Sequence, residues 1–543
     1  MPTVNMKYCS NEKSELTDFD KKIIDYIFAN SDEDYSAVLE KDGDLEVFHQ
    51  LAKTRESILN WYDFKENSNV LEIGSGYGAI TGLLCDKCKS VTCVESKTYI
   101  AEALAKRCKN RTNLEVYAGN VLDMHFDIKF DYIVMLGVLE YQGNGSKGKD
   151  PYIEFIRRIK ELLNDNGKML IAAENRYGIR YFCGEREPFS NIPFYGINRY
   201  PNGCDAYAFD RRELADIIKE SGLQYKFYYP VPDYKHTQMI FSDEYLPKSS
   251  LRERIVPYYR DKSTLVALEK DLYDDLVAND VFTFFSNSFL VECGYDNNFC
   301  DVLSAALSTD RGNEHGFATV IRKHSVEKRA LDKSGFQSLK TIYDNMLDME
   351  KHGINIVRQS LEPMKLTMPY IDKNTLSDVL REALRNDTDK FIKLLDLLYE
   401  EILKSSEHVD ERYNALRKGA DDNRNYGTIL SKAYIDMIPI NCFYDGGKLI
   451  FFDQEFVREN YPASYTMFRA LKYTYSFITF ANGIVPLQQM KERFELIELW
   501  DDYVKEENEF VRENRDFRTY GHFWKRAGVN KTDIIANIKH SIV

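Results

Sequence analysis

The spacing of hydrophobic residues changes several times along this 543-residue chain. Residues 1–44 are polar and mixed, and residues 45–62 carry apolar side chains at helical spacing. From residue 69 to about residue 174, short apolar runs alternate with helical periods. Strands that alternate with helices predict crossover units, in which a parallel sheet is covered by helices on both faces. We therefore predict an α/β fold for this part of the chain.

The pattern changes again toward Gly294. Residues 175–205 are rich in aromatic residues, glycine and proline, and a Phe-rich apolar run at 282–291 predicts one more strand. Beyond it, short strands at 318–322 and 325–331 precede mostly helical sequence with one hairpin. We therefore predict three regions: an N-terminal extension at 1–44, an α/β domain at 45–294 and an α+β domain at 295–543. The second lobe of the last domain is predicted to be mostly helical.

Composition narrows the class of protein. Hydrophobic residues make up 44% of the chain and charged residues 29%, which is typical of globular proteins. The net charge of −14 disfavours binding to phosphate backbones, so we do not expect a nucleic-acid partner. The chain carries no apolar signal core, no apolar run of about 20 residues and only ten scattered cysteines. We predict a cytoplasmic protein without a membrane span.

A glycine-rich turn follows the first strand of the predicted α/β domain. Residues 71–78 read Leu-Glu-Ile-Gly-Ser-Gly-Tyr-Gly and lie between that strand and a helix that begins near Ala79. Glycines let the backbone approach a ligand closely, and a helix start presents unpaired N–H groups. The turn therefore predicts a ligand site, although similar turns also occur as purely structural features.

Polar residues follow the next three predicted strands. Glu95 ends the second strand, where an acid accepts hydrogen bonds from a ribose diol. Asn120 and Val121 follow the third strand, where an adenine ring would lie, and Glu140 and Tyr141 follow the fourth. Because open α/β sheets bind ligands at the carboxyl ends of their strands, these residues together predict one binding cleft.

These segments resemble the class I S-adenosylmethionine-dependent methyltransferases. The resemblance covers about residues 45–293 and implies a Rossmann-like seven-stranded sheet whose last, antiparallel strand is the run at 282–291. A nicotinamide dinucleotide is the rival ligand, but the evenly spaced glycines differ from the dinucleotide pattern G-x-G-x-x-G. The segments that carry the resemblance are 70–78, 91–95, 119–123, 131–141 and 162–174.

The resemblance also implies which residues bind the cofactor. S-adenosylmethionine would lie along the glycine turn, with its ribose on Glu95 and its adenine beside Asn120 and Val121. The predicted cofactor-binding residues are Glu72, Gly74, Ser75, Gly76, Gly78, Glu95, Asn120 and Val121.

Methyl transfer itself needs in-line placement and, for a hydroxyl acceptor, a base. Candidates for the catalytic groups at the sheet edge are Glu140, Tyr141, Glu174 and Arg176. We predict that residues 175–205 form a lid over the acceptor, whose aromatic rings either stack on sugar rings or pack on one another. The chain lacks the Asn-Pro-Pro-aromatic signature that nucleic-acid N-methyltransferases show after their fourth strand. The negative net charge favours a neutral or small acceptor.

A second set of polar residues lies in the C-terminal half. Asp436 and Asn441 precede two strands joined by an Asp-Gly-Gly turn, and Asp453 follows the second strand. The hairpin returns Asp453 to the neighbourhood of Asn441, as in phosphotransferases that hold a catalytic Asp and two metal ligands around a nucleotide. A surface hairpin with solvated acids is the alternative.

This region resembles the protein-kinase-like fold, closest to its small-molecule kinase branch. The resemblance implies that Lys328 binds ATP, that Asp436 is catalytic, and that Asn441 and Asp453 bind Mg²⁺. Three features depart from the family pattern: there is no glycine-rich phosphate loop, Tyr434-Ile435 replaces the usual His-x, and Gln337 stands where a Glu is expected.

The pairing of the two modules resembles the bifunctional methyltransferase–kinases of bacterial surface polysaccharide biosynthesis. We therefore predict a methyltransferase that O-methylates a saccharide or other small acceptor, with a kinase-like domain that binds ATP. Two alternatives stay open: a truly bifunctional methyltransferase–kinase, and a non-catalytic interaction protein that retains both folds.

Overall fold

A computed structural model defines the fold, and it describes residues 2–9, 15–143, 145, 148–248, 251–308, 310–417, 422, 424–516, 521, 525–526, 528–529 and 531–542. The chain divides into two compact units, residues 1–310 with 517–543, and residues 311–516. The first unit extends beyond residue 294 because the strand Val302–Leu307 pairs with the strand Met239–Ser242. The C-terminal segment belongs to it because Asn537 donates hydrogen bonds to the carbonyls of Lys262 and Leu265.

One mixed sheet of ten strands, counted over the described residues, forms the centre of the first unit. Its strands are β1 (Val4–Tyr8), β2 (Asn69–Ile73), β3 (Ser90–Glu95), β4 (Leu114–Gly119), β5 (Phe130–Leu136), β6 (Leu163–Glu174), β7 (Gln224–Val231), β8 (Met239–Ser242), β9 (Ser288–Gly294) and β10 (Val302–Leu307). They lie in the order β1-β4-β3-β2-β5-β6-β9-β7-β8-β10. The first six pair in parallel, and β9 runs antiparallel between β6 and β7. The predicted α/β fold is confirmed, and the sheet is larger than the seven strands expected.

Helices connect these strands. They are α1 (Asp18–Ala29), α2 (Ser36–Lys41), α3 (Leu45–Leu51), α4 (Thr81–Lys87), α5 (Thr98–Arg107), α6 (Asp150–Lys160), α7 (Ile179–Phe182), α8 (Arg211–Glu220), α9 (Leu251–Arg254), α10 (Glu269–Ala278) and α11 (Phe282–Phe285), with 3₁₀ turns at Lys53–Ile58, Val121–Asp123 and Leu139–Tyr141 and a last helix at Lys531–Ile542. Alternate residues of the strands, such as Leu71, Ile133 and Ile171, share a buried core with Ile156 of α6 and Ile217 of α8. Side chains two apart on a strand share a face, so this alternation orients the sheet.

The apolar run predicted as a strand over 282–291 is divided in the structure. Its first part is the short helix α11, and the strand begins only at Ser288. The Asn175 side chain donates hydrogen bonds to the carbonyls of Phe284 and Ser286 and so holds the turn between them. Short apolar runs do not distinguish a buried helix from a strand, which explains the error in the predicted boundary.

The second unit combines small antiparallel sheets with helices. Its strands are β11 (Phe317–Arg322), β12 (Ser325–Ala330), β13 (Ser360–Glu362), β14 (Lys365–Pro369), β15 (His408–Val409), β16 (Ile429–Tyr434), β17 (Cys442–Asp445), β18 (Lys448–Phe451) and β19 (Val457–Pro462). Within this unit the orders are β11-β12-β14-β13 and β15-β16-β19, and β17 and β18 form the predicted hairpin.

Most of the second unit's core is helical. Its helices are α12 (Phe336–Lys351), α13 (Leu376–Asn386), α14 (Thr388–Lys404), α15 (Ala463–Phe477), α16 (Ala481–Ile484), α17 (Leu487–Arg493) and α18 (Trp500–Glu513), with 3₁₀ turns at Lys333–Gly335, Glu411–Tyr413 and Pro439–Asn441. Side chains of Thr375 and Asp387 cap α13 and α14 by accepting backbone hydrogen bonds. Over the described ranges of both units, no helix combines the length and the apolar character that a membrane crossing requires.

Candidate functional site

The glycine turn after β2 has the backbone conformation that its sequence predicts. Gly74, Gly76 and Gly78 have φ values of 69°, 51° and 77°, in the left-handed region that favours glycine. A Cβ at Gly74 would lie 2.5 Å from Cγ2 of Val138, whereas a Cβ at Gly76 would meet no atom within 4 Å. The backbone therefore borders open space at Gly76, where a ligand has access to it.

Glu72 lies beneath this turn rather than in front of it. Its Oε2 accepts hydrogen bonds from Oγ1 of Thr81 at 2.7 Å and from Sγ of Cys93 at 3.1 Å. Burial raises the pKa of Glu72 to about 7, and the bond from Thr81 opposes that rise. The hydroxyl of Ser75 donates to the backbone carbonyl of Glu72 at 3.1 Å, so this predicted pair ties the turn to β2.

Glu95 meets the turn from the end of β3. Its Oε2 accepts a hydrogen bond from the Gly76 amide at 3.0 Å, and its Oε1 accepts from the Lys97 amide at 3.2 Å. Asn120 follows β4, and its side-chain oxygen accepts from the Leu122 amide at 3.0 Å. Asn120 itself is exposed, and the neighbouring Val121 is buried. The predicted cofactor residues thus lie at the carboxyl ends of the adjacent strands β2, β3 and β4.

The predicted acids Glu140 and Glu174 are neighbours. Glu140 is fully buried, and its Oε1 accepts a hydrogen bond from the Glu174 amide at 2.9 Å. Among the described residues, its Oε2 has no hydrogen-bond partner, and burial raises the pKa of Glu140 to about 7. Tyr141 is 53% exposed, and its ring contacts Phe189 of the predicted lid edge to face. The fourth candidate, Arg176, is occupied by ion pairs to acids of α8 and its N-cap.

Glu174 lines an open cleft in the first unit, which we call the cavity. Its Oε2 accepts a hydrogen bond from the Tyr181 hydroxyl at 2.9 Å, and its Oε1 pairs with Nζ of Lys235 at 2.9 Å. Both partners also line the cavity. A carboxylate held by a hydroxyl and an ammonium group is fixed in orientation.

Arg180 and Glu185, from the predicted lid segment, line the same cavity. Arg180 is 6% exposed and pairs with Asp233 at 2.6 Å. Within the described part of the chain, its Nε and Nη2 and the Oε2 of Glu185 are buried without a hydrogen-bond partner. Arg180 and Glu185 therefore bring side chains of opposite charge to the residues that line the cavity.

Several cavity residues were not among the predicted site residues. Lys235 lies in a segment whose sequence is charged and carries no motif. His49 lies on α3, whose periodic apolar residues indicate a core helix. Their contribution depends on contacts between segments far apart in the sequence, for which the chain carries no local signal.

In the second unit, Asp453, which follows the hairpin, lies beside Lys328 of β12. Nζ of Lys328 contacts Oδ1 of Asp453 and lies 3.5 Å from Oε2 of Glu455. Arg311 and His315 also bind the Glu455 carboxylate, at 2.9 and 2.8 Å. Lys328, the hydrogen bond with His315, and Arg311 lower the pKa of Glu455 to about 2, against the effect of its burial. Asp453 has a φ of 55°, a strained conformation for a residue with a side chain.

Asp436 is enclosed more tightly than a free base would be. Its Oδ2 accepts hydrogen bonds from the amides of Glu455 and Phe456, and its Oδ1 pairs with Nη1 of Arg469 at 3.0 Å. Asn441 donates to the Asp436 backbone carbonyl at 3.1 Å. The structure thus gathers the four predicted residues of this unit in two linked groups.

Comparisons with known proteins find methyltransferases that are similar to parts of this chain. Residues 48–148 match the family model described as ribosomal RNA adenine dimethylase. An uncharacterized methyltransferase of Staphylococcus carnosus is 27% identical over 197 residues, 36% of this chain and 89% of that protein. The ribosomal RNA small subunit methyltransferase A of Fusobacterium nucleatum is 33% identical over 67 residues, 12% of this chain and 25% of that protein. The CcbJ methyltransferase of Streptomyces caelestis is a structural neighbour with 16% identity and a TM-score of 0.27, covering 45% of this chain and 89% of that one.

This protein is an S-adenosylmethionine-dependent methyltransferase. The prediction of an S-adenosylmethionine-dependent methyltransferase, and of S-adenosylmethionine as its cofactor, is confirmed. The matched residues 48–148 include the glycine turn, Glu95, Asn120 and Glu140.

Proposed function

We propose that the first unit O-methylates a saccharide or another small hydroxyl-bearing acceptor. S-adenosylmethionine would bind along the turn at 72–78, and the acceptor would bind in the cavity that Glu174 lines. The observation that carries this proposal is the mixed polar lining of that cavity, to which Glu174, Tyr181 and Lys235 contribute an acid, a hydroxyl and an ammonium group. A ligand with several hydroxyl groups both donates and accepts hydrogen bonds and therefore satisfies such a wall.

The residues at the glycine turn fit the cofactor. The open space at Gly76 admits a ligand to the backbone amide, and the neighbouring Glu95 carboxylate suits a ribose diol. Bound S-adenosylmethionine supplies a methyl group that its sulfonium has already activated. We assign Gly74, Ser75 and Gly78 to the shape of this turn, Glu72 to its support, and Asn120 and Val121 to the adenine.

The acceptor side is assigned to the residues after β5 and β6. Glu174 would bind acceptor hydroxyls, with Tyr181 and Lys235 fixing its orientation. Glu140 would hold the start of the lid through its bond to the Glu174 amide, and the exposed Tyr141 would border the mouth. The lid at 175–205 supplies Arg180 and Glu185 to the cavity wall.

A small acceptor is preferred over RNA, although the matching family model is named for ribosomal RNA. The net charge of −14 opposes a phosphate backbone, and Leu136-Gly137-Val138-Leu139 stands where nucleic-acid N-methyltransferases carry Asn-Pro-Pro-aromatic.

Calorimetry with S-adenosylmethionine tests the cofactor site. Gly76→Arg fills the open space at the turn, so we expect binding to the wild type and at least a hundredfold loss in the variant. Gly353→Arg is the matched control, because Gly353 also has a positive φ of 81° and open space at its Cβ position but lies in the second unit. Equal binding by Gly76→Arg and the wild type would refute the site. Mass spectrometry of saccharides incubated with enzyme and cofactor tests the acceptor, and methylation of RNA but of no saccharide contradicts it.

A second candidate activity concerns the second unit, for which we propose a kinase-like fold. The contact of Lys328 with Asp453, and the strained Asp453 backbone, support an ATP–Mg²⁺ site with Asn441 as the other metal ligand. The enclosure of the Asp436 carboxylate by Arg469 and two amides favours nucleotide binding over phosphoryl transfer.

A thermal-shift titration with ATP and Mg²⁺ tests that site. We expect stabilisation of the wild type that Asp453→Ala abolishes, and no ATP turnover in either protein. ATP turnover that disappears in Asp453→Ala would instead support a truly bifunctional methyltransferase–kinase, of the kind known from polysaccharide biosynthesis.

A further inference from the structure

Two buried histidines from distant segments form a hydrogen-bonded pair in the first unit. Nδ1 of His49, on α3, lies 2.7 Å from Nε2 of His236, and the two rings stack with their centroids 4.9 Å apart. Nδ1 of His236 lies 2.8 Å from Oγ1 of Thr54. A neutral imidazole has one donor and one acceptor nitrogen, so these contacts form a chain in which the tautomers depend on one another.

The hydrogen-bonded series Thr54–His236–His49 ends at the cavity proposed for the acceptor. His49 is 7% exposed and lines that cavity together with Glu174, Tyr181 and Lys235. Its Nδ1 is occupied by His236, and its Nε2 makes no hydrogen bond to any residue that the structure describes. A nearly buried nitrogen without a partner, on the wall of a cavity, is available to a ligand.

We propose that His49 Nε2 is the base that receives the hydroxyl proton of the acceptor, and that His236 is a positioning residue that fixes the His49 tautomer. In this arrangement His49 donates through Nδ1–H to His236, and His236 donates through its own Nδ1–H to Thr54. The Nε2 lone pair of His49 then faces the cavity.

The surrounding charges favour hydrogen bonds donated from His49 to His236 and on to Thr54 over the reverse direction. Besides His236, the charged groups that act on His49 are the cations Lys235, Arg55 and Arg260, and cations attract a lone pair and repel an N–H group. The acids of the cavity are held by other groups: Glu174 by Lys235 and Tyr181, and Glu185 by the Arg260 amide. Asp233, next to His236, is paired with Arg180 and accepts from the Tyr258 hydroxyl, whose ring packs against both histidines.

Burial, His236 and the same cations hold the pKa of His49 well below its ordinary value. His49 is therefore neutral at neutral pH, the form that a group must have to receive a proton. In the transfer, the acceptor O–H proton moves to Nε2 while the oxygen bonds to the methyl carbon. The carbon–sulfur bond breaks with its electron pair left on sulfur, so that atoms and charge balance.

This inference rests on the proposed transfer to a hydroxyl group, so its first test needs no acceptor. The full chain, labelled with ¹⁵N in its nine histidines, is studied by ring ¹⁵N NMR, and His49→Asn and His236→Asn assign the signals. We expect His49 to carry its proton on Nδ1 at pH 7 and to lose this preference in His236→Asn. A proton found on Nε2 of His49 in the wild type would overturn the proposal.

The second test measures methyl transfer to a panel of methyl glycosides. We expect His49→Asn to lower kcat at least a hundredfold with little change in the Kd for S-adenosylmethionine, and added imidazole to restore part of the rate in His49→Gly. His236→Asn should lower kcat about tenfold and change the pH profile, which loss of packing alone does not do. The control His125→Asn, with a side chain 86% exposed, should leave the rate unchanged.

The two proposals fail in different ways. A wild type that binds the cofactor but methylates no glycoside counts against the proposed function, and the NMR result then decides on His49. A wild type that methylates a glycoside at the same rate as His49→Asn overturns the role of His49 and leaves the proposed function intact.

Discussion

Three buried glutamates, Glu72 and Glu140 of the first unit and Glu455 of the second, lie in opposite electrostatic settings. In the first unit, Glu72 and Glu140 lie in apolar surroundings with hydrogen bonds but no ion pair, and burial raises the pKa of each to about 7. In the second unit, Glu455 is bound by Lys328, Arg311 and His315, and its pKa falls to about 2.

The pKa of Glu72 and Glu140 rises because desolvation dominates, whereas the pKa of Glu455 falls because nearby cations dominate. An acid whose pKa is about 7 suits a cleft for a hydroxyl acceptor, because its protonated form donates and its ionised form accepts hydrogen bonds. An acid that stays ionised among cations suits an anionic ligand with a metal, which would replace some of those contacts. The following changes test that contrast, from the largest expected effect to the smallest.

Removing the buried cation of the second unit should have the largest effect. Arg469 pairs with Asp436 at 3.0 Å and with Glu507 at 2.9 Å. Arg469→Met leaves both acids without that partner, so we expect the free energy of unfolding to fall by about 3–5 kcal/mol. The control Arg493→Met breaks an exposed pair with Asp396 and should cost at most about 1 kcal/mol. Denaturant unfolding, with hydrogen exchange of residues 430–510 as the probe, measures the free energy of unfolding of both variants. Equal losses of free energy in the two variants would contradict the difference between a buried and an exposed ion pair.

Glu140 and Glu455 should contribute to the pH dependence of stability with opposite signs. The raised pKa of Glu140 stabilises fully below its unfolded value of 4.5, and this contribution is lost as pH rises through about 7. The lowered pKa of Glu455 stabilises above 4.5, and this contribution is lost as pH falls toward about 2.

Substitution by glutamine separates these contributions. Glu140→Gln should reduce the loss of stability between pH 5 and pH 8 by up to about 3 kcal/mol, and Glu455→Gln should reduce the loss between pH 5 and pH 3. Denaturant titrations at these pH values measure the effect. An unchanged pH dependence in either variant would show that the named acid is not the source.

The cofactor site should show a smaller effect. Glu95→Gln keeps the shape of the side chain but removes its charge, so we expect roughly a tenfold weaker Kd for S-adenosylmethionine, about 1.4 kcal/mol. Glu115→Gln, an exposed position on β4, is the matched control. Calorimetry measures both, and an equal Kd for Glu95→Gln and the wild type would remove Glu95 from the site.

The support of the glycine turn gives the smallest effect. Thr81→Val removes the 2.7 Å hydrogen bond to Glu72 and leaves that buried oxygen with Cys93 alone. We expect a loss of about 1 kcal/mol in unfolding free energy with the fold retained. Thermal unfolding measures it, and a loss above 3 kcal/mol would mean that Thr81 supports more than this one bond.

The sequence by itself determined the features that depend on local pattern. Alternating apolar runs identified the parallel strands, and the glycine spacing identified the turn whose left-handed backbone the structure contains. Position at strand ends was enough to group Glu95 with the turn, because parallel strands end at one edge of a sheet. The hairpin turn likewise predicted the approach of Asp453 to Asn441.

Only the tertiary structure decided the cavity and the state of its groups. His49 and His236 are 187 positions apart, and the Lys235–Glu174 pair joins a loop to the end of β6. Asp436 reads as a free acid in the sequence but is enclosed by Arg469 of α15. Burial and partners set pKa values and hydrogen bonding, and both arise from packing between distant segments, which no local pattern specifies.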